Sequence, residues 1–254
     1  MIQLIDDNFN QRVGRIPGFT SGMQVYETPN LTYVDSNLPS DTFNLIHLKN
    51  GTALTELELA TALDHYRSRQ LPFCFWTNEE QLAPTVDKLK QSGLQLQEEG
   101  LGMFLDLAEY QHITEEQHRF IGQVANPAEI SDYAQVIAEN WTPPDQNVLS
   151  YYRKSAEHFL AQENQISLLI YRQEDVPVGT LEFFPSNEEV VGIYGVSTKA
   201  AFRRQGIASA LMSKALNTAK TQGFRQVVLL ASEAGASVYR KYGFKALTKY
   251  YEYV

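Results

Sequence analysis

The chain has 254 residues, 43% of them hydrophobic, and a formal net charge of −9. This length favours two domains, and the composition supports a packed core and excludes a disordered chain. The acidic balance argues against general nucleic-acid or anionic-membrane binding, both of which need a surplus of Lys and Arg.

Asp6 and Asp7 stand where a signal peptide would carry bases, and no apolar run approaches transmembrane length, so a soluble cytoplasmic protein is expected. The first forty residues show little regularity. Phe43 to Leu48 then reads as a strand. Thr55-x-x-Glu58 forms a capping box ahead of a helix carrying Leu59, Ala62, Leu63 and Tyr66. Leu71 to Thr77 is a buried strand, and its Cys74, the single cysteine, reads as a core thiol that forms no intrachain disulfide. A helix over about 82–91 ends at Gly93, and 95–107 reads as two closing strands around Glu98-Glu99-Gly100.

His112-Ile113-Thr114-Glu115-Glu116-Gln117-His118 has metal-ligand residue types without a metal-site spacing, so it reads as a polar linker and no metal is expected. Beyond it, 120–124 is a strand. Asn126-Pro127 opens a helix as N-cap and N1, with Ile130, Tyr133, Ala134 and Ile137 as its apolar stripe. Trp141-Thr142-Pro143-Pro144 breaks it before a helix over about 148–162. Strands follow at 166–172, 176–184 and 190–196, then a helix over 206–221, a buried strand at 226–231, a short helix over 234–242 ended by Gly243, and two closing strands at 245–249 and 250–254. Both halves share the order strand, helix, strand, helix, closing strands. Ser92-Gly93-Leu94 matches Tyr242-Gly243-Phe244, which implies a degenerate repeat of one mixed α/β layer.

The most informative stretch is Val196 to Leu211. A strand leads into Arg203-Arg204-Gln205-Gly206-Ile207-Ala208, which opens a helix. Backbone N–H groups at a helix start, with two guanidinium groups beside them, suit a phosphate or pyrophosphate. Gly206 lets the backbone approach a ligand closely. The pattern is neither a nucleoside-triphosphate P-loop nor a dinucleotide fingerprint. Between Leu48 and the first N-terminal helix there is no arginine pair and no suitably spaced glycine, so the N-terminal copy lacks such a loop.

Val196 at its strand end, the loop Arg203 to Ala208, and Tyr239-x-x-x-Gly243-Phe244 stand together in an order that resembles the GCN5-related N-acetyltransferase (GNAT) family. The resemblance implies a GNAT-like acyl-CoA N-acyltransferase fold in two tandem copies. One is a degenerate domain over 1–115 and the other a catalytic domain over 116–254. It implies acetyl-coenzyme A as cosubstrate and an amine, most simply a small molecule, as acceptor. The backbone at Val196 and Thr198 would pair with the pantetheine arm. The N–H groups of Arg204, Gln205, Gly206, Ile207 and Ala208, with Ser209, would cradle the pyrophosphate, and Arg203 and Arg204 would reach its oxygens or the ribose phosphate. Ser232 stands where many members have an Asn that binds the arm. Tyr239 would protonate the departing thiolate; its other reading is core packing. The Trp141 loop would wall the acceptor site, or simply break a helix. Glu182 and Glu189 are the nearest acids for a general base, and strand alternation alone leaves their faces undecided. A coenzyme A-binding module without turnover, or an enzyme of another acyl group, remains open.

Overall fold

A computed structural model describes every residue except Ala234. It divides into two compact units, the first built from Met1–Met103, Leu230–Ala236 and Ala246–Val254, the second from Phe104–Leu229 and Ser237–Lys245. No helix among the described residues is long and apolar enough to cross a membrane.

The chain begins with a helix, α1 (Ile2–Phe19), where the sequence reading found little order. Ile5, Phe9, Val13 and Ile16 recur at helical spacing and are all buried, so one apolar stripe explains it. Strands β1 (Gln24–Glu27), β2 (Leu31–Asp35) and β3 (Leu45–Leu48) follow, then α2 (Glu56–Arg67) with the expected capping box from Thr55 and Glu58. Next come β4 (Cys74–Asn78), the short α3 (Glu79–Leu82) and α4 (Val86–Gln91), and β5 (Leu96–Asp106). The helix expected over 82–91 is therefore two pieces, parted by a turn that contains Pro84, whose ring cannot continue a helix. The two closing strands expected around Glu98-Glu99-Gly100 are one strand. Gly100 serves a close approach and not a turn: a Cβ there would lie 3.1 Å from the Ala231 carbonyl oxygen.

The remaining elements are β6 (Ile121–Gln123), α5 (Pro127–Ala138), α6 (Gln146–Lys154), α7 (Ala156–Leu160), β7 (Ser167–Gln173), β8 (Val176–Pro185), β9 (Val190–Thr198), α8 (Ile207–Thr221), β10 (Gln226–Ser232), α9 (Ala236–Arg240) and β11 (Lys245–Tyr253). The helix expected over 148–162 breaks at Ser155, whose backbone leaves helical geometry (φ −100°, ψ 6°). Ala234, the expected start of the last helix, lies outside the described residues. The C-terminal pair of strands is again one strand, since Lys249-Tyr250 offers no turn residue.

In the second unit β6, β7, β8 and β9 pair antiparallel in sequence and β10 joins β9 in parallel. Alternation along β8 separates two faces. A Cβ on Gly179 would meet Ile207 and Leu211 of α8, so that face is α8's; Glu182, of opposite parity, lies on the α5 face.

In the first unit β1, β2 and β3 pair antiparallel, β3 and β4 run parallel, and the C-terminal strand β11 adds antiparallel to β4. Tyr253 of β11 is buried in a core with Leu31, Ile46, Tyr66 and Phe75. The boundary expected at residue 115 would leave β11 with the C-terminal half, whereas the first unit draws its completing strand from the far end of the chain. Cys74 is free and buried, and burial pushes its thiol pKa up, so it is a core side chain.

One buried polar cluster fastens that strand. Asp6 Oδ1 accepts from the Asn78 amide at 2.9 Å and the Tyr250 hydroxyl at 2.9 Å, with His47 Nε2 at 3.2 Å. Burial acts to raise the Asp6 pKa, but the His47 imidazole and the hydrogen bonds outweigh it and hold the carboxyl below its ordinary value. A depressed carboxyl pKa stabilises the fold above the unfolded value and is lost as pH falls through the folded one. Tyr250→Phe should therefore cost about 1–3 kcal/mol in urea denaturation at pH 7, because it removes a donor to a buried carboxylate. The loss should shrink as the pH falls below about 4, where the carboxyl of the unfolded chain begins to protonate, and then through the lower folded value.

Candidate functional site

The site is assembled around the start of α8. After β9 the chain makes a short 3-10 turn (Ala200–Phe202), then takes left-handed backbone at Arg204 (φ 63°) and Gly206 (φ 83°) before entering the helix. These reversals turn successive N–H groups inward. Gly206 is the N-cap, no described side chain caps α8, and its first turn contains no acid. A 15-residue helix thus presents uncapped N–H groups and the positive end of its dipole to an exposed loop.

Arg203 does not point into the loop. Its Nε donates to the Thr198 carbonyl at 3.0 Å and its NH2 to Asn140 Oδ1 at 3.3 Å, while Asn140 donates to Ser197 Oγ at 2.7 Å. Arg203 therefore braces β9 to the end of α5; both arginines are exposed, but Arg204 has no side-chain partner among the described residues. Gln205 folds back to the Ala201 carbonyl at 3.4 Å. Ile207 is buried against β8, whereas Ala208 and Ser209 are half-buried in the open first turn.

β9 supplies the second feature. Its parallel register with β10 runs from Val190↔Gln226 to Gly192↔Val228 and ends there. From Ile193 to Thr198 it is in register with β8 alone among the described residues. Lys199 N–H donates to the Val178 carbonyl, and Ser197 pairs with Thr180, so these residues direct their backbone to β8. By alternation Val196 and Thr198 direct theirs to the opposite side, where no strand is in register with them among the described residues and the Thr198 carbonyl accepts from Arg203. A bulge lies between: the register slips so that Gly195 and Val196 together oppose Leu181, and Gly195 adopts φ 57°. Thr180 donates its hydroxyl to the Gly195 carbonyl at 2.9 Å. Thr198 Oγ1 is buried with no hydrogen-bond partner among the described residues.

Of the two acids, Glu182 is at the bulge and Glu189 is not. Glu182 is 3% exposed, pairs in register with Tyr194, and its Cβ is 3.7 Å from where a Gly195 side chain would begin. The Tyr133 hydroxyl shares that spot, at 2.7 Å. Glu189 precedes β9 at the end opposite Val196, is exposed, and pairs with Arg225 at 2.9 Å. It is a turn residue, remote from Val196 by the length of the strand.

Tyr239 is on α9, half-buried, with its ring edge-on to Phe244 at 6.1 Å. Burial pushes its phenol pKa up to about 12, so it keeps its proton at physiological pH. Tyr242, at the end of the same segment, donates to the Ser209 carbonyl at 2.8 Å and so ties α9 to the first turn of α8. Ser232 lies in the first unit, exposed, and its Oγ accepts from the Gly235 N–H at 3.2 Å.

The corresponding helix start in the first unit is closed. α2 follows β3 as α8 follows β9, but its N-terminus is filled by its own capping box and carries Glu56 and Glu58 in the first turn. Asn30 holds the Glu58 carboxylate there at 2.9 Å. A Cβ on Gly51 would lie 2.0 Å from the Gln81 carbonyl oxygen, so the connecting turn is sealed by backbone. An anion would meet two carboxylates.

Asn140, Tyr133, Gly195 and Tyr242 were not singled out as site residues in the sequence. Only Gly195 carries a sequence signal, a glycine inside a strand just before Val196.

Residues 131–244 match the acetyltransferase (GNAT) family model. Among curated proteins no match is found. Among solved structures the chain is similar to a GCN5-related N-acetyltransferase from Kribbella flavida, with TM-score 0.70 and 16% identity over 98% of this chain and 93% of that one. It is also similar to a functionally unknown conserved protein from Staphylococcus epidermidis, with TM-score 0.66 and 15% identity over 92% and 94% of the two chains. A third is a tandem GNAT protein from the clavulanic acid biosynthesis pathway, with TM-score 0.58 and 10% identity over 92% and 83%. At such identities the likeness establishes the fold: the mixed α/β GNAT architecture extends over both halves.

The bulge gives a direct test of the site's construction. Gly195→Ala must accept both left-handed strain and a contact with the Tyr133 hydroxyl, whereas Gly223→Ala, at φ 90° with open space around it, accepts strain alone. Urea denaturation should show Gly195→Ala destabilised by about 2–4 kcal/mol and Gly223→Ala by about 1 kcal/mol.

Proposed function

We propose that this chain, whose residues 131–244 match the acetyltransferase (GNAT) family model, is an N-acetyltransferase that moves the acetyl group of acetyl-coenzyme A to the amine of a small-molecule acceptor. The observation that carries the reading is the uncapped, acid-free start of α8 next to the unpaired end of β9. Pyrophosphate oxygens are the acceptors that such N–H groups lack, and an extended amide arm is the partner that an unpaired strand edge lacks. The buried orphaned hydroxyl of Thr198 stands between the two. Acetyl-coenzyme A supplies the activated acyl thioester.

The chain's own residues divide the rest of the work. The N–H groups of Gly206 to Ser209 hold the pyrophosphate, with Arg204 as the free guanidinium beside them. Val196 and Thr198 orient the arm, and an N–H at Val196 polarises the thioester carbonyl as negative charge builds on its oxygen. Glu182, on the α5 face at the bulge, takes the proton of the acceptor ammonium. The freed nitrogen bonds to the acyl carbon as the carbon–sulfur bond breaks, and it gives up its second proton to solvent. Tyr239, whose phenol carries its proton at physiological pH, gives it to the departing sulfur. Binding both reactants together removes the entropy of their encounter. The closed start of α2 limits the chain to one cofactor.

With an amine that turns over, Glu182→Gln should lower kcat/KM about 100-fold and leave coenzyme A affinity unchanged. Tyr239→Phe should lower kcat about 100-fold with little change in the KM for acetyl-coenzyme A. Steady-state kinetics over an amine panel reads both. Coenzyme A binding without transfer to any amine, or an unaltered kcat in Tyr239→Phe, contradicts the assignment.

A further inference from the structure

The segment before β6 is fastened along α8 more tightly than a linker requires. Asn217 grips the backbone of Ile113 on both sides: its Oδ1 accepts from the Ile113 N–H at 3.2 Å and its Nδ2 donates to the Ile113 carbonyl at 2.6 Å. Tyr110 adds its hydroxyl to the same Oδ1 at 2.9 Å. One turn nearer the helix start, Ser213 donates to Glu115 Oε1 at 3.0 Å, which leaves His118 Nε2 as the donor to Ser213 Oγ at 2.8 Å. Nearer still, a side chain on Gly206 would meet the Gln117 amide at 3.5 Å. Positions 217, 213 and 206 are spaced four and seven residues apart, so the three anchors lie on one stripe of α8 that ends at the phosphate loop.

The last anchor is the one without an internal purpose. Gln117 Oε1 is buried and has no hydrogen-bond partner among the described residues. A buried orphaned carbonyl oxygen is costly, and its amide sits against the glycine that opens the cofactor helix. The strap lies between α8 and the β6–β7 edge, whereas Val196 and Thr198 open on the other edge of β9, away from β8. The arm therefore leaves the loop on one flank of α8, and Gln117 waits on the other.

We propose that the strap 112–118 is part of the cofactor site and that Gln117 binds the nucleotide end of coenzyme A. This rests on the reading given under Proposed function. The pyrophosphate offers only acceptors, so the orphaned oxygen takes a donor from the adenosine moiety, an exocyclic amine or a ribose hydroxyl. Gln117 is thus a cofactor-affinity residue contributed by the segment that precedes the sheet of the second unit, and Asn217 and Ser213 act as positioning residues for it.

The test is calorimetric titration of two probes, coenzyme A and 4′-phosphopantetheine, which lacks the adenosine, into wild type, Gln117→Ala and Gln117→Met. The methionine keeps the side-chain bulk, and thermal melting checks that the strap remains folded. Coenzyme A affinity should fall about five- to tenfold in both variants, with 4′-phosphopantetheine affinity unchanged within about twofold. If both variants bind coenzyme A as wild type does, or lose both probes equally, the assignment of Gln117 is overturned while the acetyltransferase reading stands. If wild type binds neither probe, both fall.

Discussion

A helix that starts without a cap leaves its first N–H groups short of acceptors, and most helices supply one from their own sequence. α2 does so with Thr55 and Glu58; α8 does not, and Gly206 in left-handed backbone holds its first turn open. This single difference organises the chain. Two helices that each follow a strand in two similar units have opposite ends, one closed by carboxylates and the other left without a side-chain cap among the described residues. The surroundings of α8 follow from keeping that end available. Arg203 is drawn aside to brace β9, Tyr242 pins α9 to the first turn, and Gly179 lets the sheet approach the helix closely enough that a methyl group would lie 2.5 Å from Ile207.

The strand that leads into this loop is shaped by a bulge in place of a regular ladder. Gly195 absorbs the extra residue, and beyond it Val196 and Thr198 turn their backbone groups away from β8. The same kink sets Glu182 beside Tyr133 on the α5 face. Thus one irregularity in β9 relates the open start of α8, the strand edge beyond Gly192 and the candidate base to one another. All of them lie in the second unit.

Much of this was legible in the sequence where short-range chemistry decides. The capping box of α2, the N-cap Asn126 with Pro127, and the loop Arg203 to Ala208 are local patterns whose geometry is fixed by a few neighbours. What was not legible depended on distant partners. Glu182 and Glu189 are both strand-associated acids; only the register of β8 on β9 separates a residue at the bulge from one in a turn. β5 contains Glu98-Glu99-Gly100, which reads as a turn until Ala231 is placed against the glycine. The C-terminal strand could not be assigned to the first unit because its partners, Phe75 to Asn78, are some 170 residues away in sequence. α1 is the exception: its Ile5, Phe9, Val13 and Ile16 stripe was present and readable, though loosely spaced among polar residues.

The central claim is that the open start of α8, and not that of α2, holds the pyrophosphate of coenzyme A. Backbone amide spectra of the nitrogen-15-labelled protein during a coenzyme A titration test it most directly. The account predicts that the resonances of Gly206, Ile207, Ala208 and Ser209 move together and saturate at one ligand per chain, while those of Thr55 to Glu58 stay in place. Stationary α8 resonances, or a saturating shift at the start of α2, would contradict it.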